Sequence, residues 1–144
     1  MSDQRGNGDG IALPWPEQAR VMVCIGYNPA SQRLIRRAGA LAQLLSGELL
    51  AVHIQTNDSA APGYRTMLEQ NMALARSLGA QVLIERGAPL AETLARVAKQ
   101  HHITHLVMGE SARSRWAEIQ SGSLVRQLLG LTHGVDVYIV ADPA

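Results

Sequence analysis

A polar stretch in the second half of the chain combines residue types that bind anions. Gly122 and Ser123 precede apolar residues at helical spacing, so a helix is predicted to begin there. The N–H groups and the positive dipole end of a helix start stabilise an anion, and the Ser123 hydroxyl adds a donor. Arg113 and Arg115 match phosphate oxygens, and Trp116 offers a face on which a base could stack. A nucleotide would satisfy all of these groups.

The same residues also have a purely structural interpretation. Glycine followed by serine is a common helix start, so Gly122 and Ser123 could simply cap a helix. Arg113 and Arg115 could form a solvated loop face, with Trp116 filling the hydrophobic core. The residue types alone leave both interpretations open.

Short apolar runs alternate with helical patterns along the chain from Arg20 onward. The predicted strands are Val21–Ile25, Leu49–Ile54, Gln81–Glu85, His105–Met108 and Val135–Val140. The predicted helices run from the N-cap candidate Ser31 to Gly47, from about Arg65 to Leu78, from Pro89 to about Gln100, and from Gly122 to Leu129. This alternation predicts a three-layer α/β/α fold with a five-stranded, parallel, doubly wound, Rossmann-like sheet.

Ligands of doubly wound sheets bind beyond the carboxyl ends of the strands, where the strand order reverses. The loops after the first and fourth predicted strands, 26–31 and 109–121, are therefore expected to line a crevice. Gly26 and Gly109 begin these two loops, and we assign both to the predicted site.

Other residues near the expected crevice have open roles. His53 ends the second strand and is predicted either as a ligand contact or as a partly buried structural histidine. Arg33, Arg36 and Arg37 cluster on the first helix, where they form a solvated face or attract an anionic ligand.

Composition limits the class of protein. A chain of 144 residues with a formal charge of +1 predicts one domain and excludes a protein whose main task is to coat nucleic acid. No apolar run approaches the roughly 20 residues of a membrane span, so we expect a cytoplasmic protein without membrane insertion. Residues 1–19 are predicted to form a flexible tail, and residues 20–144 the domain.

The loop after the fourth strand resembles that of the universal stress proteins. Their pattern is Gly, two residues, Gly, nine residues, Gly, then Ser or Thr; here Gly109, Ala112, Gly122 and Ser123 have this spacing, with Ala112 at the second glycine. The resemblance implies ATP or another adenine nucleotide as ligand. It also implies a contact from just after the first strand, where Asn28 stands in place of the usual acidic residue.

One branch of this family is more similar still, the universal-stress-protein domain of the osmosensitive potassium-channel sensor kinases called KdpD. The similar segments are Val23–Asn28, Ser31–Ala42 and Arg113–Trp116. This resemblance implies a cytoplasmic regulatory module, with a sensor histidine kinase or another universal stress protein as partner. The family also implies a homodimer formed through the last strand, which is predicted at an edge of the sheet.

Catalytic and metal chemistry find little support in the residues. His101, His102 and His105 straddle a helix end and a strand start, so their rings are expected to diverge as solvated side chains, and no metal is predicted. Cys24 is the single cysteine and lies among apolar residues, where a thiol has a raised pKa and little reactivity.

Two hypotheses follow, and a third stays open. The first is a non-catalytic, nucleotide-responsive module that uses Gly26, Asn28, His53, Gly109, Arg113, Arg115, Gly122 and Ser123. The second is a ligand-free interaction domain, favoured by Ala112 and by Asn28 in place of an acid. The third is a weak nucleotide hydrolase that depends on the Ser123 hydroxyl.

Overall fold

The elements of the fold follow each other as alternating strands and helices. The computed structural model describes residues 18–26, 29–55, 63–87, 89–109 and 124–141. Its strands are β1 (Arg20–Cys24), β2 (Glu48–Gln55), β3 (Gln81–Arg86), β4 (His105–Gly109) and β5 (Asp136–Val140). Its helices are α1 (Ala30–Leu44), α2 (Tyr64–Ser77), α3 (Leu90–Gln100) and α4 (Leu124–Leu131). Each predicted element is present, with ends shifted by at most three residues.

The described strands form one parallel sheet with the order β3-β2-β1-β4-β5. In β1, Val21 pairs with Leu49 of β2 on one side and with His105 of β4 on the other. The chain builds the sheet outward from β1 in one direction and then returns to build it in the other. The strand order therefore reverses between β1 and β4, and the predicted doubly wound α/β fold is confirmed.

The two faces of the sheet bury separate hydrophobic layers because successive strand side chains point to opposite faces. Val21 and Val23 of β1 belong to the layer that packs under α1 and α2, which we call the first core layer. Met22 faces the second core layer, which packs under α3 and α4 and includes Leu94 and Leu128. Residues of β1 are thus buried on both faces, as its unbroken apolar run predicted.

The predicted N-cap of α1 is wrong. The helix begins at Ala30, and Pro29 occupies the N-cap position with φ −63° and ψ −25°. Proline suits a helix start because its ring fixes φ near the helical value and its missing N–H would have no intrahelical partner. Ser31 lies in the first turn and is buried, and its Oγ accepts a hydrogen bond from Gly26 N–H at 3.1 Å. The serine therefore stabilises the chain leaving β1.

A close backbone approach at Gly47 generates a prediction about stability. A Cβ at this position would lie 2.3 Å from the Ala19 carbonyl oxygen, which is backbone and accepts the Glu48 N–H at 3.0 Å. We expect Gly47→Ala to destabilise the fold by about 2–3 kcal/mol through overpacking. Urea denaturation monitored by circular dichroism measures this loss.

Gly130 of α4 provides the matched control. A Cβ there would meet nothing within 4 Å, so Gly130→Ala should raise stability by about 0.5–1 kcal/mol through helix propensity. Equal midpoints for Gly47→Ala and the wild type would contradict the packing at Gly47.

Candidate functional site

The candidate site lies at the carboxyl ends of β1 and β4, where the strand order reverses. The register pairs Val23 with Val107, so the next residues along each strand also run side by side. β1 ends at Cys24, and Gly26 lies two residues farther along the chain, after Ile25. Gly109 is the last residue of β4. A Cβ on Gly109 would lie 3.7 Å from Leu34 Cδ2 of α1, so this helix packs directly against the end of β4.

The predicted site residues divide between described and undescribed parts of the chain. The structure places Gly26 and Gly109 at the carboxyl ends of β1 and β4, where the strand order reverses. His53 lies in β2, the strand on the other side of β1 from β4. The other predicted contacts lie outside the described residues: Asn28, Arg113, Arg115, Gly122 and Ser123. Their assignment as nucleotide contacts stays a prediction.

His53 is held inside the protein by both of its ring nitrogens. The side chain is 5% exposed. Nδ1 lies 2.9 Å from the Ile25 carbonyl oxygen, and Nε2 lies 2.6 Å from the Tyr64 hydroxyl. Burial lowers the pKa of His53, although the hydrogen bond to Ile25 opposes that shift. This geometry favours the structural alternative for His53 over direct contact with a ligand.

Asn71 is a residue of the site that the sequence analysis missed. It lies on α2 with no exposed surface, and its Nδ2 donates a hydrogen bond to the Gly26 carbonyl oxygen at 2.8 Å. Tyr64, at the start of the same helix, contacts the His53 ring edge-on with 5.8 Å between ring centroids. A single signal in the sequence pointed to Asn71: it is a polar residue on the apolar face of a predicted amphipathic helix.

The arginines of α1 are not gathered at the crevice. Arg33 Nε donates to the Ala141 carbonyl oxygen, with 3.4 Å between the atoms, just beyond the end of β5. Arg36 lines a cavity of about 1010 Å³ at the opposite, amino edge of the sheet, together with Arg20, Glu48 and Gln81. Arg33, Arg36 and Arg37 are all exposed, which agrees with the solvated-face alternative.

The predicted histidine group is also dispersed, and one expectation about it fails. His102 is exposed, as expected, whereas His105 is 2% exposed, with its Nδ1 lying 2.7 Å from Thr104 Oγ1. Its Nε2 lies 3.7 Å from a carboxylate oxygen of Asp136 on β5. Within the described ranges no group of three or more His, Cys, Asp or Glu side chains could hold a metal ion.

Comparison with known proteins identifies the family. The sequence profile described as "Universal stress protein family" matches residues 19–140. The chain belongs to the universal stress protein family. This confirms the family predicted from the spacing of Gly109, Gly122 and Ser123, and it agrees with the observed sheet.

Two sensor proteins are similar to this universal stress protein domain. The sensor protein KdpD of Mycobacterium tuberculosis is 34% identical over 134 residues, which cover 93% of this chain and 16% of that protein. A putative sensor protein KdpD of Synechocystis sp. is 30% identical over 124 residues, which cover 85% of this chain and 34% of that protein. The predicted resemblance to the KdpD branch is confirmed, and the chain spans a minor part of these relatives.

Solved universal stress proteins have the same fold. One, in complex with cAMP, superposes with a TM-score of 0.67 at 22% identity and covers 88% of this chain and 98% of its own. Another, from Archaeoglobus fulgidus in complex with dAMP, has a TM-score of 0.55 at 16% identity, with 88% of this chain and 98% of its own covered. Across the described ranges no helix is long and apolar enough to cross a membrane.

Cys24 is the last residue of β1, and its surroundings determine the pKa of its thiol. The side chain packs against the second core layer, and burial raises the pKa of the thiol to about 12. The expected raised pKa is therefore confirmed. A thiol with this pKa is about one part in ten thousand thiolate at pH 8, against about a quarter for an unperturbed thiol.

We expect Cys24 to react with a thiol reagent such as DTNB about a thousandfold more slowly in the folded protein than in guanidinium, because the thiolate is the nucleophile. The measurement is the absorbance of released thionitrobenzoate at pH 8. Native and unfolded rates within tenfold of each other would contradict the burial of this thiol.

Proposed function

We propose that this universal stress protein domain binds an adenine nucleotide in the crevice between the carboxyl ends of β1 and β4, as a non-catalytic regulatory module of the cytoplasm. The observation that carries the proposal is the reversal of strand order at this point, where Gly26 lies two residues beyond the end of β1 and Gly109 is the last residue of β4. Ligands of doubly wound sheets bind at such a reversal.

The residues that follow these strands support a phosphate ligand. In the sequence, Gly122 and Ser123 immediately precede α4, which begins at Leu124, and a helix N-terminus supplies N–H donors to a phosphate. Arg113 and Arg115 add guanidinium groups in the sequence between β4 and α4. The solved relatives are described in complex with cAMP and dAMP, and this supports adenine as the base.

A thermal shift assay tests the proposal. A nucleotide at about one hundred times its dissociation constant stabilises a protein by about 2.7 kcal/mol, which corresponds to roughly 9 °C for a domain of this size. We expect such a shift with ATP, AMP or cAMP. Ser123→Ala should weaken affinity by about tenfold, because a hydrogen bond to a charged phosphate is lost.

Ser77→Ala is the matched control for the lost hydroxyl. Ser77 is exposed at the end of α2 and its Oγ donates to the Leu74 carbonyl oxygen, at the edge of the sheet away from the crevice. The control should bind as the wild type does. If no adenine nucleotide shifts the melting temperature, the proposal is contradicted and the ligand-free interaction domain is favoured. If the protein releases phosphate from ATP and Ser123→Ala abolishes that release, the protein is a nucleotide hydrolase instead.

A docking role is the second candidate function, and the exposed edge of the sheet favours it. β5 pairs with β4 on one side only, and its Tyr138 and Ile139 are 42% and 38% exposed. Leu129 and Leu131 of α4 are exposed beside it in the chain. We propose that this edge forms a homodimer and that the module docks on a sensor kinase or another universal stress protein, in line with its KdpD relatives.

A charge on β5 tests the dimer. We expect the wild type to elute as a dimer in size-exclusion chromatography with light scattering, and Ile139→Lys to elute as a monomer because a charge blocks edge pairing. Ile84→Lys is the control, since Ile84 is 51% exposed on the opposite edge strand β3. A monomeric wild type, or equal dissociation by both variants, would contradict the dimer through β5.

A further inference from the structure

Side chains from three different elements converge on two consecutive residues at the exit of β1. His53 of β2 contacts the Ile25 carbonyl oxygen, and Asn71 of α2 donates to the Gly26 carbonyl oxygen. Ser31 of α1 accepts from the Gly26 N–H. Tyr64 contacts His53 from the other side of the ring. We call Ser31, His53, Tyr64 and Asn71 the polar clasp.

The side chains of the clasp bond the backbone of β1 beyond the point where the hydrogen bonds of the sheet end. The last residue pair between β1 and β2 is Cys24 with Val52, and the Ile25 N–H still donates to the Val52 carbonyl oxygen at 2.9 Å. Beyond this bond, the Ile25 carbonyl and both polar groups of Gly26 bond to side chains of the clasp. Buried backbone groups need such partners, so the clasp determines the path by which the chain leaves the sheet.

The hydrogen bonds of His53 define its tautomer. A carbonyl oxygen only accepts, so Nδ1 carries the proton that binds Ile25, and Nε2 accepts the proton of the Tyr64 hydroxyl. Burial lowers the pKa of His53, which favours this neutral form. Tyr64 is itself buried in the first core layer, so its hydroxyl holds the imidazole in one orientation.

We propose that the polar clasp positions the chain leaving β1 for nucleotide binding: Ser31, His53, Tyr64 and Asn71 fix the backbone of Ile25 and Gly26 without touching the ligand. The inference rests on the proposed function, because Gly26 borders the proposed crevice. It assigns these four side chains as positioning residues, so their loss should change affinity through the geometry of the loop.

Two mild variants test the clasp. Ser31→Ala removes the acceptor of the Gly26 N–H within a helix that alanine favours. Tyr64→Phe removes the hydroxyl on His53 and keeps the aromatic ring in the first core layer. Thr132→Val is the matched control, because it removes a buried hydroxyl that donates to the Leu128 carbonyl oxygen at the end of α4.

The first readout is amide hydrogen exchange in the free protein, resolved by residue with NMR. In Ser31→Ala the Gly26 amide should exchange about tenfold faster, while amides of Val23 and Val107 in the central strands keep their rates. Tyr64→Phe should accelerate exchange at Gly26 as well, and Thr132→Val should not. A purely global loss of stability would instead accelerate the slow sheet amides in all three variants.

The second readout is the dissociation constant for the adenine nucleotide that shifts the wild type most in the thermal assay, measured by calorimetry. We expect Ser31→Ala and Tyr64→Phe to weaken binding by about fivefold to tenfold, the worth of one hydrogen bond, and Thr132→Val to bind as the wild type does.

The outcomes separate this inference from the proposed function. If the wild type binds and both clasp variants bind equally tightly, the clasp inference is overturned and the proposed function stands. If the wild type binds no adenine nucleotide, the proposed function fails and the role of the clasp in ligand binding fails with it; faster exchange at Gly26 would then support only its hold on the backbone. Unchanged exchange at Gly26 in both variants overturns the clasp in either case.

Discussion

Strand β1 hydrogen-bonds to a parallel neighbour along each of its two edges, β2 on one side and β4 on the other. Because the chain reaches β4 only after building β2 and β3, the connections leave the sheet in opposite directions on the two sides of β1. The point at which they diverge is where doubly wound sheets bind their ligands, and it is the site proposed here. The position of Gly26 beside the end of β4, and hence the whole proposed site, depends on this double pairing.

The two ends of β1 are held by different means. At the amino end, backbone and side-chain bonds combine: Thr104 N–H donates to the Arg20 carbonyl oxygen, Arg20 N–H donates to Thr104 Oγ1, and Arg20 Nε donates to the His101 carbonyl oxygen. At the carboxyl end, the Ile25 carbonyl and both polar groups of Gly26 bond to side chains of the polar clasp. Side-chain hydrogen bonds can be removed by substitution more easily than backbone hydrogen bonds. The clasp fixes the backbone beside the proposed site, where a small displacement would change the affinity for a ligand.

The chain belongs to the universal stress protein family and is similar to one part of the KdpD sensor proteins. The chain corresponds to 16% of the Mycobacterium tuberculosis relative, so it matches one part of that sensor protein. The crevice lies at the carboxyl edge of the sheet, and the exposed side chains of Tyr138 and Ile139 lie on its outer strand. The proposed nucleotide site and the proposed docking edge are therefore separate surfaces.

Local patterns in the sequence were sufficient for the elements and the fold class. Apolar runs such as Val21–Ile25 and the helical spacing of apolar residues in α1 and α3 indicate which side chains are buried. This is so because the face of a strand or helix on which a side chain lies follows a fixed period along the sequence. The family was predicted from a resemblance carried by Gly109, Gly122 and Ser123 together with segments such as Val23–Asn28, all of which can be compared without knowing any tertiary contact.

The polar contacts could not be read from the sequence in the same way. Ser31 was predicted as a cap, but it binds Gly26; His53 was predicted at the crevice, and its ring is enclosed between Ile25 and Tyr64. Asn71 lies 45 residues from the carbonyl it binds. Periodicity tells which face a side chain occupies, whereas the partner of a polar atom is decided by which distant backbone group the tertiary packing brings within hydrogen-bond distance.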